Sequence, residues 1–104
     1  ALSQILYPAS NRAILVRMLR NLHGVYQERG DWERAIRSAD RVLRLLPDNP
    51  EALRDRGLGY LELGHLSGAR EDLRRYLARQ PRADDAADIR MRLIDAGQST
   101  GRLH

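Results

Sequence analysis

Apolar residues recur along this chain with the period of an α-helix. Leu15, Leu19, Leu22, Val25 and Tyr26 follow one another at helical spacing and share one helical face. Ile36, Ala39, Val42, Leu43 and Leu46 form a second such stripe. Between the two stripes stands Gly30-Asp31, a left-handed stop followed by a capping side chain. The pattern then returns: at an offset of 34 residues, Leu19 meets Leu53, Tyr26 meets Tyr60, Gly30 meets Gly64, Ala35 meets Ala69, Leu43 meets Leu77 and Pro47 meets Pro81. A period in this range is the mark of a repeat architecture, in which each unit buries its apolar face on its neighbours.

The punctuation predicts five helices. Ser10 opens the first, which runs to about residue 29, and Asp31 caps the second over about 32–45. Pro47-Asp48-Asn49-Pro50 is a stop followed by a start, with Pro50 suited to a first helical turn. Helices over about 50–63 and 66–79 copy the first pair, with Gly64 as the break between them and Pro81 as the stop. A fifth helix over about 84–96 has acids at its N-terminus, where the helix dipole favours them, and Gly97 as its end. The polar remainder, 98–104, reads as a frayed tail. The expectation is an all-α chain of antiparallel helical hairpins. Ala35 and Ala69 fall where the two helices of a hairpin approach most closely.

Composition removes several functions. With 104 residues there is room for one domain, and with no cysteine there is no disulfide, thiolate zinc site or cysteine nucleophile. Phe is absent and aromatics are 5% of the chain, so the large core side chains are mostly Leu, Ile and Val. No apolar run reaches membrane-spanning length, and 1–10 lacks the basic flank and apolar centre of a signal peptide. A cytoplasmic setting is the expectation, and the missing initiator Met points to a trimmed or partial chain. The net charge of +4 invites a nucleic-acid reading. All 18 basic residues are arginine, however, a skew that fits the codon bias of a GC-rich genome better than selection for phosphate contacts.

A helix-turn-helix repeat of this length and punctuation resembles the tetratricopeptide repeat (TPR). The resemblance covers about 11–96, with repeats at 16–49 and 50–83 and a capping helix at 84–96. It is carried by Leu19, Leu22, Tyr26, Gly30, Ala35 and Pro47, and by Leu53, Gly57, Tyr60, Gly64, Ala69, Leu73 and Pro81. His23, Arg56, Ala39 and Tyr76 depart from the family pattern and imply locally altered packing. The resemblance implies a right-handed superhelix that binds protein or peptide and needs no cofactor or metal. A narrower resemblance lies in PASNRAILVRMLRNL at 8–22, GDWERA at 30–35 and LRDRG at 53–57. These look like the C-terminal region of bacterial proteins that join a transglutaminase-like domain to TPRs. It implies that 1–10 is a linker from another domain and that any catalytic-like residues lie outside this chain; 97–104, from Gly97 on, reads by its polar composition as a flexible tail.

No catalytic site is legible. His23, His65 and His104 are scattered and form no metal-ligand set. The pairs Glu71-Asp72 and Asp84-Asp85, and Glu51 with Asp55, read as helix caps and surface partners rather than an acid/base pair. Gly57-Leu58-Gly59 falls inside a helix and reads as a point of close helix contact, not a phosphate loop.

Two surfaces are candidates. By its position in the TPR fold, the inner groove is expected to carry Arg17, Arg20, Gly24, Gln27, Glu51, Arg54, Leu58, Leu61, Asp85 and Asp88. It is basic towards the first repeat and acidic towards the last helix, which suits a zwitterionic or intramolecular ligand, a peptide or a neighbouring domain. The family's clamp for the terminal carboxylate of chaperones is not matched: Arg20 alone fits it, with Gly24, Asp55, Asp85 and Ile89 at the other positions. The second surface is an outer basic face of Arg34, Arg37, Arg41, Arg44, Arg70 and Arg74. It is partly offset by the i,i+4 pairs Glu33–Arg37, Asp40–Arg44 and Glu71–Arg75. This face carries the alternative reading, binding of nucleic acid or another polyanion. Two repeats are few for an independent solenoid, so self-association is a further expectation.

Overall fold

The computed structural model describes the backbone of residues 2–102 and the side chains of 11–98. It contains five helices: α1 (Leu2–Glu28), α2 (Trp32–Leu45), α3 (Pro50–Leu63), α4 (Leu66–Arg79) and α5 (Ala86–Arg102). Each packs on the next in chain order, α1 on α2, α2 on α3, α3 on α4 and, most sparsely, α4 on α5. The chain is all-α, and no strand occurs among the described residues.

The hairpin turns are built twice in the same way. The Asp31 amide donates to the Tyr26 carbonyl and the His65 amide to the Tyr60 carbonyl, each at 2.8 Å. The amides of Gly30 and Gly64 donate to Gln27 and Leu61, each at 3.1 Å. This bond pair closes a helix end only if one residue takes a left-handed backbone, and Gly30 (φ 70°) and Gly64 (φ 78°) supply it. The starts are capped by side chains: Asp31 accepts from the Arg34 amide (3.3 Å) and Asn49 from the Ala52 amide (2.9 Å), with Pro50 in the first turn. His65, at the corresponding start of α4, makes no side-chain cap.

The core runs through the stack as Leu19, Val42, Leu43, Ala52, Leu53, Leu73, Tyr76 and Ile89. Ala35 and Ala69 are fully buried at the two hairpin crossings. Gly57 and Gly59 bring α3 against both neighbours. A Cβ on Gly57 would lie 2.6 Å from Leu73 of α4, and one on Gly59 would lie 2.8 Å from Ile36 of α2.

Two helix ends differ from expectation. Ser10 does not start α1; the helix is already running there and begins at Leu2. An N-cap residue only favours a start, and the helix runs on through Pro8 although the proline removes one backbone hydrogen bond there. Gly97 does not stop α5, which begins at Ala86 after turn residues Asp84 and Asp85 and continues to Arg102. A glycine ends a helix where it takes a left-handed backbone, and among the described residues Gly30 and Gly64 do so while Gly97 does not. His104, the third histidine, lies outside the described residues.

Candidate interaction surfaces

α1 and α3 do not close on one another. Between them, and floored by the end of α2, lies an open groove of about 790 Å³. Ala13, Val16 and Leu46 give it apolar walls; Arg12, Arg17, Arg20 and Arg54 surround them. Of the residues expected in an inner groove, Arg17, Arg20, Gly24, Gln27 and Arg54 meet here. Leu58 and Leu61 are half-buried and pack against the core instead. Asp85 and Asp88 do not line the groove: Asp85 accepts from the Tyr76 hydroxyl at 2.6 Å, and exposed Asp88 pairs with Arg92 at 3.3 Å. The groove is therefore more basic than the inner-face residues suggest, with four arginines against one aspartate, Asp55.

His23 and Asp55 sit at the inner wall. His23 is buried, its Nδ1 lies 3.7 Å from Asp55 Oδ2, and its Nε2 has no hydrogen-bond partner. The sequence offered a faint sign of this pair: His23 departs from the repeat pattern and Asp55 from the chaperone clamp, but 32 positions separate them. Arg54 is held from three sides. It pairs with Asp55 at 3.3 Å and with Asp85 at 3.6 Å, and its guanidinium stands 5.9 Å from the centre of the Tyr76 ring. Burial works against the charge of Arg54, but Asp55 and Tyr76 beside it together outweigh this and raise its pKa. Burial also pushes the Tyr76 hydroxyl up, and its hydrogen bond to Asp85 adds to the shift.

Arg56, where an apolar residue is usual, ties three helices together. Its Nε and one terminal nitrogen donate to the two oxygens of Asp72 in α4 at 2.7 and 2.8 Å, and the other donates to Asp40 in α2 at 2.8 Å. Asp72 is 2% exposed, so it is a buried partner rather than the surface acid that Glu71-Asp72 suggested. The bonds from Asp72 hold the Arg56 pKa above its ordinary value, against the cost of burial.

Five of the six outer arginines fall into two groups. Arg34, Arg37 and Arg41 gather beside Leu22 and Tyr26 of α1. Arg70 and Arg74 lie by Leu93 and Ile94 of α5. Arg44 pairs with Asp40 at 3.4 Å, as the spacing suggested, whereas Arg75 reaches Asp48 at 3.5 Å rather than Glu71. Among the described residues no cluster of His, Cys, Asp or Glu could hold a metal ion, and no helix is long and apolar enough to cross a membrane.

The repeated hairpin with its paired turn bonds has a counterpart among known families: residues 22–94 match the family model described as tetratricopeptide repeat. The chain belongs to the tetratricopeptide repeat family. The tetratricopeptide fold is a non-catalytic repeat scaffold, and such repeats generally mediate protein–protein interaction. A solved structure, the C-terminal TPR-containing domain of a Plasmodium falciparum FK506-binding protein, is similar with a TM-score of 0.76 and 25% identity. That likeness covers 88% of this chain and 59% of the other. Two relatives from Xylella fastidiosa, both called UPF0162 protein, are 55% identical (strain 9a5c) and 54% identical (strain Temecula1) over all 104 residues. The chain spans 37% of the length of these curated relatives.

Proposed function

We propose that this TPR chain is an interaction module whose groove between α1 and α3 holds a protein segment carrying carboxylates. The observation that carries the reading is the set of four arginines around apolar walls in the groove. Arg12, Arg17 and Arg20 are exposed and make no ion pair among the described residues, so their charge is available to a ligand. Arg54 is already committed to Asp55 and Asp85, and serves to shape the wall. Gln27 adds a neutral donor and acceptor at one end. The segment belongs to a partner or to a neighbouring domain of the same polypeptide. The transglutaminase-like assignment of that domain is supported by the stretches at 8–22, 30–35 and 53–57 and by the greater length of the relatives. A cytoplasmic setting fits this role.

A fluorescently labelled peptide alternating Glu and Leu is the probe. Arg17→Glu with Arg20→Glu should weaken its binding by about tenfold or more, since each charge-assisted hydrogen bond contributes roughly 1.5–3 kcal/mol. The midpoint of thermal unfolding should stay within a few degrees, because both side chains are exposed. Equal affinity of the two proteins would remove the groove from the function.

A further inference from the structure

On the face of α1 turned away from the groove, five large apolar side chains stand in the open. Ile14 (55% exposed), Leu15 (44%), Met18 (55%), Leu22 (41%) and Val25 (41%) lie within about 100° of one another on an ideal helix. They form one continuous stripe, unlike the isolated apolar residues common on any surface.

The repeat itself says what such a stripe does. Met18, Leu22 and Val25 correspond, 34 positions on, to Ala52, Arg56 and Gly59 of α3. Those residues seat α3 on the helix before it. Ala52 is 4% exposed, Arg56 bonds to Asp40 of α2, and a Cβ on Gly59 would strike Ile36 of α2. The same face of α1 has no helix on it among the described residues, and in place of a small residue, a paired arginine and a glycine it carries Met, Leu and Val. Larger side chains at these positions mean a wider seat, filled by side chains rather than by close backbone approach. The flank is basic: Arg37 and Arg41 of α2 open beside Leu22 and make no ion pair among the described residues.

We infer that this stripe is the seat of a helix from the remainder of the same, longer polypeptide, docked on α1 as α2 docks on α3. The occupant is amphipathic, with an apolar ridge along Ile14, Met18 and Val25 and acidic residues towards Arg37 and Arg41. The relatives supply the length for it, since this chain accounts for 37% of theirs and matches them over its whole extent. A second copy of this chain is the less suitable occupant. Pairing two such stripes would bring the Arg37 and Arg41 flanks of both copies to one interface without the acids to match them. The inference concerns a different face of α1 from the groove and stands whether or not the groove binds acidic peptide.

The chain has no cysteine, so Met18→Cys and, as a control on the outer side of α4, Ala78→Cys can each be followed by thiol labelling. Labelling is measured by peptide mass spectrometry in the 104-residue chain and in the whole gene-encoded polypeptide. Met18→Cys should react freely in the short chain and about tenfold or more slowly in the whole polypeptide, while Ala78→Cys reacts alike in both. Equal labelling of Met18→Cys in the two, or a gene product no longer than this chain, overturns the inference. So does protection of Met18→Cys in the short chain that grows with protein concentration, which would assign the seat to a second copy. Ile14→Cys, one turn away, repeats the reading if the first variant folds poorly.

Discussion

A half-buried guanidinium is stable where its donors are matched, and Arg56 is matched by two aspartates from two other helices. Fork-to-fork bonding to Asp72 uses both carboxylate oxygens, and Asp40 takes the remaining nitrogen. Breaking such a pair from one side leaves a desolvated charge, which costs more than the pair contributes. Arg56→Leu, which leaves the buried Asp72 without its partner, should therefore lower the unfolding free energy by about 3 kcal/mol in urea titrations. Arg56→Leu combined with Asp72→Ala should recover a good part of that loss, because no buried charge then remains. A double variant as unstable as the sum of the two single changes would show that the network acts through something other than charge matching. From the sequence, Arg56 was only a departure from an apolar position. Its partners are 16 residues away on either side, too distant for any local pairing rule to reach.

The helices are placed by glycine in two physically different ways. Gly30 and Gly64 provide the left-handed backbone that ends α1 and α3, whereas Gly57 provides room for α4. Gly57→Ala gains about 1 kcal/mol of helix propensity but puts a methyl group into Leu73, an overpacking that costs roughly 1–3 kcal/mol. Its net effect should be a lower thermal midpoint. Gly24 lies inside α1 with nothing within 4 Å of a would-be Cβ. Gly24→Ala should thus raise the midpoint, by the equivalent of about 0.5–1 kcal/mol. The opposite signs of two identical substitutions, read by differential scanning calorimetry, test the packing directly. Helix turns were legible because Gly-Asp and Asn-Pro act locally. The continuation of α1 before Ser10 and of α5 past Gly97 was not, since a cap or a lone glycine biases an end without compelling it.

The molecule as a whole is a stack in which each helix leans on its neighbours in the chain, with extents of 62 × 29 × 20 Å. Stability in such a stack is a sum of neighbour interfaces rather than one central core. α3 is packed on both sides, while α5 meets α4 sparsely. Native-state hydrogen exchange should accordingly find the slowest amides in α3 and the fastest helical amides in α5, with α2 and α4 between. Uniform protection across the five helices would mean that the stack opens only as a unit. Both outer faces of the stack carry large exposed apolar residues, the stripe of α1 at one end and Met91 and Ile94 of α5 at the other. Open ends of this kind are expected of a repeat segment whose neighbours lie elsewhere.

The sequence by itself determined the helices, their turns and the 34-residue repeat, because these follow from spacing and from residues acting within a few positions of themselves. It also placed Arg17, Arg20, Gln27 and Arg54 on one side of the stack, since a repeat register fixes which helix face looks inward. Tertiary structure alone decided which charges were free. Asp85, read as part of an acidic groove wall, is taken by Tyr76 and Arg54; Asp72, read as a surface acid, is buried under Arg56; and five of the six outer arginines are parted into two groups, with Arg44 paired to Asp40. A charge is available only if no partner reaches it, and those partners come from other helices at distances along the chain that no period encodes. The same reason hid the stripe on α1. Its spacing was that of a core face, and only the packed stack reveals that nothing among the described residues covers it.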